Sequence, residues 1–238
     1  MNTFTPKGTR SSPPVTVRPN TSTNPGGQDF MRDKETSTRV IFVRHGKTDF
    51  PTDRIYCDER EDPALNAEGR RQAAAAAALL KDHAIDCIVC SPAARTRATA
   101  EAIVSVTGVP LSENDGLRER RFGVWDGLYF NEIERGFPDD YLSWKKDPAG
   151  FTPRGGETMY DLRARVAQVI NTVISSHAHK TVVVVSHVGP IRMALSDALG
   201  LSLDRYRRLT VDYGALSRVD YGRRQHNLIY LNCHSRHF

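Results

Sequence analysis

An α/β fold, a three-layer sandwich with a mostly parallel central sheet flanked by helices, is predicted for this chain from three observations. Short apolar runs at Val40–Val43, Ile85–Cys90 and Thr181–Val185 alternate with longer helical segments, and strands separated by crossover helices lie parallel in one sheet. The run Thr181–Val185 is apolar and β-branched throughout, as a strand covered on both faces should be. In Glu157–His177 the residues Leu162, Val166, Val169, Ile170, Val173 and Ile174 fall on one helical face, the stripe that packing on a sheet requires.

Residues 1–38 hold Pro13, Pro14, Pro19, Pro25, Gly26 and Gly27 among many Ser and Thr, with too few apolar residues to offset the entropy of ordering. A disordered tail is expected there, as an upstream extension of a chain that could begin at Met31, with one domain over 39–238. After the strand Val40–Val43, the spacing predicts a helix over Asn66–His83, the strand Ile85–Cys90 and a helix over Pro92–Val106. Ser91 followed by Pro92 reads as an N-cap and first helical residue, which puts Arg95 in the first turn. The stretch Leu117–Gly156, with Trp125, Trp144 and only short helical pieces such as Asp139–Lys146, reads as an excursion over the sheet. Regular structure resumes with Glu157–His177, Thr181–Val185 and a helix over Pro190–Leu199. Ala215–Val219 and Leu228–Leu231 supply the last strands.

Composition narrows the function classes. The chain has 39% hydrophobic and 26% charged residues, with no apolar run near the roughly 20 residues of a membrane helix and no secretory layout at its start. A soluble, cytoplasmic protein is expected, with no membrane partner. The net charge of +5 permits nucleic-acid binding, but the arginines are scattered and no basic-aromatic motif is present; an anionic small molecule explains the charge as well. Four cysteines are too few for a disulfide framework in a chain of 238 residues. Cys87 and Cys90 have C-x-x-C spacing, yet in a strand residues three apart point to opposite faces, so neither a redox pair nor a metal site is expected.

Ligands of open α/β sheets bind beyond the carboxyl ends of the strands. Val40–Val43 is followed by Arg44, His45 and Gly46, and Thr181–Val185 by Ser186 and His187. Ile85–Cys90 leads through Ser91 and Pro92 to Arg95. Imidazoles and guanidiniums gathered at one rim would repel each other unless built to hold an anion such as a phosphoryl group. Arginine grips phosphate oxygens in bidentate fashion and keeps its charge, and a neutral histidine offers a nucleophilic nitrogen.

These residues also resemble a known family. Val43-Arg44-His45-Gly46-Lys47-Thr48 is similar to the R-H-G-x-T signature of the histidine phosphatase (phosphoglycerate mutase-like) superfamily. Asp62-Pro63-Ala64-Leu65 with Gly69 and Gln72-Ala73, Ser91-Pro92-Ala93-Ala94-Arg95 with Thr99-Ala100, Gly155-Gly156-Glu157-Thr158, and Ser186-His187-Val188-Gly189-Pro190-Ile191-Arg192 match its further motifs in order. The resemblance implies that His45 is the nucleophile and that Arg44, Arg95 and His187 neutralise the transferring phosphoryl group. It implies that Glu119 is the general acid, a role that calls for a carboxyl raised by burial or anionic neighbours. Thr48, Val188 and Gly189 are expected at the substrate along with Arg44 and Arg95, and Arg54 in the loop Asp49–Asp62 is expected to reach it, with Tyr56 beside it.

Two departures bear on substrate. Pro51 stands where many relatives carry a phosphate-contacting Asn, and Lys47 where glutamate is common. Lys47, Arg54, Arg120 and Arg121 suggest an acidic phosphate ester. Mutases of the family carry a longer insertion with paired arginines, which the short Phe137–Pro153 lacks, so hydrolysis of a small phosphorylated metabolite is favoured over phosphoglycerate mutation, and over a binding protein on the same fold. No cofactor and no metal site are expected, and a homodimer is admitted without a located surface.

Overall fold

The computed structural model describes residues 37–56 and 61–234. Six strands, β1 (Thr38–Arg44), β2 (Cys87–Cys90), β3 (Leu111–Glu113), β4 (Thr181–Ser186), β5 (Leu216–Tyr221) and β6 (His226–Cys233), form one sheet in the order β3-β2-β4-β1-β5-β6. The neighbours from β3 to β1 are parallel, while β5 runs antiparallel to β1 and β6 to β5. The sheet is therefore mixed, with an antiparallel ribbon along one edge. β3 carries Ser112 and Glu113 on an exposed edge, where no apolar alternation marks a strand.

The pleat sorts the central residues into two cores. Ile41, Val43, Ile88, Cys90, Val183 and Val185 face α1 (Ala67–Leu80) and α2 (Ala94–Thr107), burying Ala76, Ala77, Leu80, Ala100 and Ile103. Small residues on α1 let it lie close to the sheet. On the other face Val40, Phe42, Val182 and Val184 meet Leu162, Val166 and Ile170 of α5 (Met159–Ser176) and Ile191, Met193 and Leu195 of α6 (Val188–Ala198). Cys90 belongs to the first core and Cys87 packs against the second. Burial raises both thiols, Cys90 to about 12, which leaves them poor nucleophiles.

The excursion builds a third cluster. α3 (Phe130–Gly136) and α4 (Pro138–Lys146) surround Trp125 and Ile133, joined by Ile55 from the preceding loop. Ile55 N–H donates to Leu128 O at 2.8 Å and Gly127 N–H to Ile55 O at 3.0 Å, so loop and excursion form one body.

Several boundaries differ from expectation. The tail expected over 1–38 lies outside the described residues except for Ser37 and Thr38, and these are buried, Thr38 opening β1 and donating through Oγ1 to His177 O at 3.3 Å. α1 starts after Asn66, whose side chain accepts from Gly69 N–H at 2.8 Å, and ends three residues short of His83. α2 does not begin at Pro92. Ala93 is its N-cap residue, and the helical amide of Ala94 donates to both carboxylate oxygens of Asp62, at 2.8 and 3.0 Å. The cap expected from Ser91 thus comes from a distant loop. α6 starts two residues before Pro190, because His187 itself stands at the N-cap. Gly46 and Gly69 face each other so closely that a Cβ on either would overlap backbone of the other's segment.

No helix among the described residues is long and apolar enough to cross a membrane.

Candidate active site

Parallel pairing places Arg44 opposite Ser186 and Val43 opposite Val185, so the residues that follow β1 and β4 emerge side by side. His45 N–H donates to Ser186 O at 3.0 Å, and the rings of His45 and His187 lie with centroids 5.2 Å apart. Cys90 pairs with Val185, and Ser91 N–H donates to Val185 O at 3.0 Å, which brings the start of α2 to the same rim.

Arg95, in the first turn of α2, joins the two imidazoles. Its Nε donates to His45 Nε2 at 3.3 Å and its Nη2 to His187 Nδ1 at 2.8 Å. These contacts set the tautomers. His45 Nδ1 faces Gly46 O at 2.8 Å and must carry the proton, which leaves the lone pair on Nε2. His187 Nδ1 accepts from Arg95, so Nε2–H donates to Ser91 Oγ at 2.9 Å. Burial, then the guanidiniums of Arg95 and Arg44, hold His45 well below the ordinary imidazole range. Burial and Arg95 likewise lower His187, with smaller contributions from His45 and Arg44. Both rings are held neutral in the folded chain.

Arg95 is only 1% exposed. Its Nη1 donates to Tyr56 Oη, the guanidinium carbon lies 3.6 Å from the centre of the Tyr56 ring, and Asp62 Oδ1 is 3.5 Å from Nη1. Asp62 therefore caps α2 and pairs with the arginine that α2 projects. Arg44 is anchored by Nη1 donating to Val211 O at 2.7 Å and lies flat on Tyr213, 3.7 Å from the ring centre. The same tyrosine ring is 5.5 Å from that of His45. Arg44 Nε is buried without a protein partner among the described residues, a donor available to an anion.

Glu119 reaches the rim from the excursion. Its Oε1 accepts from Arg120 N–H at 2.8 Å and its Oε2 from Gly189 N–H at 3.2 Å, in the first turn of α6. Arg165 on α5 braces this segment, donating to Gly116 O at 2.8 Å and Glu119 O at 3.1 Å while pairing with buried Glu157 at 2.6 Å.

Not every expected contact gathers here. Arg54 donates to Gly127 O at 2.6 Å and to both oxygens of Glu61 at 2.6 and 2.9 Å, so its guanidinium ties the loop to the excursion and is already engaged. Arg120 is buried, donating to Glu157 O at 2.9 Å and Phe151 O at 3.0 Å. Lys47 and Arg121 are exposed. Thr48 is buried, with Oγ1 accepting from Phe50 N–H at 3.3 Å, and Val188 and Gly189 open α6. Tyr213 and Arg165 were missed from sequence, since neither lies in a motif. Among the described residues no group of three or more His, Cys, Asp or Glu is placed to hold a metal ion.

A mixed α/β sheet that gathers two histidines and two arginines at the carboxyl ends of its parallel strands defines a class of protein with a rim suited to an anion such as phosphate. Residues 40–234 match the histidine phosphatase superfamily (branch 1), and the chain belongs to that family. It is similar to a bifunctional protein of Mycobacterium tuberculosis, 34% identical over 212 residues; the match covers 89% of this chain but 57% of that relative. It is 30% identical over 199 residues to phosphoserine phosphatase 1 of Hydrogenobacter thermophilus, covering 82% of this chain and 93% of the relative. Among solved structures, mycobacterial glucosyl-3-phosphoglycerate phosphatase superposes with a TM-score of 0.74 at 26% identity, over 83% of this chain and 99% of that one. With phosphatases among these relatives, the chain is a histidine-phosphatase-family protein on a phosphoglycerate mutase-like fold.

Proposed function

We propose that this protein hydrolyses a small phosphomonoester, such as a sugar phosphate or sugar-acid phosphate, through a covalent phosphohistidine on His45 and without a metal ion. The observation that carries the reading is the lone pair on His45 Nε2, fixed by the Nδ1–H bond to Gly46 O and set between Arg44 and Arg95. In the first step Nε2 attacks phosphorus in line, the P–O bond breaks, and Glu119 gives its proton to the departing alkoxide. Arg44 and Arg95 stabilise the equatorial oxygens as charge spreads over them, and His187, whose Nε2–H is held by Ser91 Oγ, positions Arg95 through Nδ1. In the second step Glu119 takes a proton from water, the hydroxide attacks phosphorus, and the N–P bond breaks to return neutral His45 and release phosphate.

The names of the phosphoserine and glucosyl-3-phosphoglycerate phosphatases among its relatives support a phosphomonoesterase. A cytoplasmic setting belongs to the same reading, supported by the free thiols of Cys87, Cys90 and Cys233. The decisive experiment quenches turnover of a radiolabelled phosphate ester and maps the labelled peptide. An alkali-stable, acid-labile label on His45 is expected, with undiminished turnover in chelator. Label on another residue, or activity abolished by chelator and restored by a divalent ion, would overturn the proposal.

A further inference from the structure

The loop 211–214 seats Arg44, since Val211 O takes its Nη1–H at 2.7 Å and the Tyr213 ring carries its guanidinium. Asn232, on the edge strand β6, holds that loop. Asp212 N–H donates to Asn232 Oδ1 at 2.7 Å, and Asn232 Nδ2 donates back to Asp212 Oδ2 at 2.9 Å. Both ends of the amide are thus spent on one partner. Asn232 N–H donates to Ser217 Oγ on β5 at 3.0 Å, and His234 Nε2 stands 3.4 Å from the same Asp212 oxygen. The placement of Asn232 comes from an irregularity in the sheet. β5 and β6 pair Leu216 with Cys233 and Arg218 with Tyr230, so Leu231 and Asn232 together oppose Ser217 alone, a bulge of one residue. Asn232 has a φ of 57°, the left-handed region that asparagine tolerates better than most side chains.

A guanidinium grips phosphate through a planar fork, so its worth depends on the angle at which it is presented. We infer that Asn232 is a positioning residue for phosphoryl binding: by clamping Asp212 it fixes Val211 O and the Tyr213 ring, and through them the orientation of Arg44. The Asp212 side chain is 57% exposed, and an exposed polar pair contributes little to stability, which separates the clamp from the cores that hold the fold. The inference rests on that part of the proposed function which gives the phosphoryl group to Arg44, and not on the covalent step.

The test measures binding of inorganic phosphate by titration calorimetry, and hydrolysis of p-nitrophenyl phosphate, in the full chain. Asn232→Gly keeps the left-handed backbone and removes the amide; it should weaken phosphate binding by about tenfold and raise KM more than it lowers kcat, with thermal melting little changed. Asn232→Asp sets a second carboxylate against Asp212 and should bind phosphate no better than the glycine variant. Asp212→Asn leaves an acceptor for the Asn232 amide and should keep most of the affinity. In an Arg44→Lys background, which lacks the planar fork, Asn232→Gly should change the affinity by less than about twofold. Unchanged phosphate affinity in both Asn232 variants would overturn the inference, and so would a full-sized loss in the Arg44→Lys background, because Asn232 would then act by another route. Phosphate binding that follows the expected pattern in a protein that turns over no ester would keep the clamp and end the hydrolase reading, whereas hydrolysis indifferent to the Asn232 variants would do the reverse. No phosphate binding by the wild-type protein would end both.

Discussion

Glu119 and Gly189 are joined by a hydrogen bond from the Gly189 amide to the Glu119 carboxylate at 3.2 Å, which clamps the proposed acid to the first turn of α6. The approach leaves no room for a side chain, because a Cβ at Gly189 would overlap Glu119 Oε1.

Gly189→Ala should therefore displace the carboxylate while suiting a helix better than glycine does. Turnover of an alkyl phosphate, whose leaving group needs a proton, should fall by about 10²-fold or more. Turnover of p-nitrophenyl phosphate, whose leaving group needs none, should fall far less. Equal losses on the two would remove Glu119 from the role of acid.

His45→Ala should lose at least ~10³-fold in kcat, because the covalent route loses its first step. Circular dichroism and melting should show an intact fold, since the ring lies at a strand end and outside the two sheet cores. Comparable activity in this variant would exclude His45 as nucleophile.

Stability should depend on pH through the histidine pair. Both rings are lowered by burial and by neighbouring guanidiniums, so below the ordinary value near 6.5 the unfolded chain binds protons that the native chain refuses. Stability is then complete above about pH 6.5 and falls as the pH drops, by up to about 1.4 kcal/mol per pH unit for each histidine. Denaturant titrations at pH 7.5 and 5.5 measure the slope, and His187→Asn should remove its share. An unchanged slope in a protein lacking both imidazoles would place the effect elsewhere.

Tyr213 is expected to act by positioning Arg44, which rests on its ring. A stacked guanidinium in a partly desolvated site contributes about 0.5–2 kcal/mol, so Tyr213→Ala should lower kcat/KM by roughly 2- to 30-fold, and Tyr213→Phe should retain most of the activity. A phenylalanine variant as weak as the alanine one would refute the stacking role.

Asp62→Ala should cost about 1 kcal/mol from loss of the cap on α2, together with a rise in KM as Arg95 loosens. Asp62→Asn keeps an acceptor for Ala94 N–H and should recover the stability but only part of the KM. The difference between the two variants separates cap from ion pair.

How far the site could be read in advance follows from where each interaction is encoded. Arg44, His45, Ser186 and His187 were visible because they directly follow runs whose burial pattern marks them as strands, and β-pairing then fixes their level. The cap on α2 was misread because Ser91 has the right local chemistry, while the residue that does the capping, Asp62, lies 32 positions before Ala94, whose amide it accepts; Ser91 instead holds His187. Arg54 and Arg120 looked free in a linear string and are engaged with Glu61, Gly127, Glu157 and Phe151 in the fold. Tyr213 belongs to a loop without periodicity, brought to the rim only by the antiparallel pairing of β5 with β1, which sets Leu216 opposite Val43. β3 was overlooked because three polar-flanked residues at a sheet edge carry no alternation.

The facing glycines at 46 and 69 have a mechanical implication. With peptide resting on peptide just after His45, and no flexible atoms between them, the ring proposed as nucleophile is mounted on something close to a fixed bearing. An ester whose phosphorus arrives off axis cannot be met by a swing of the imidazole and has to reorient itself, so discrimination among esters would show in how they seat before any bond changes.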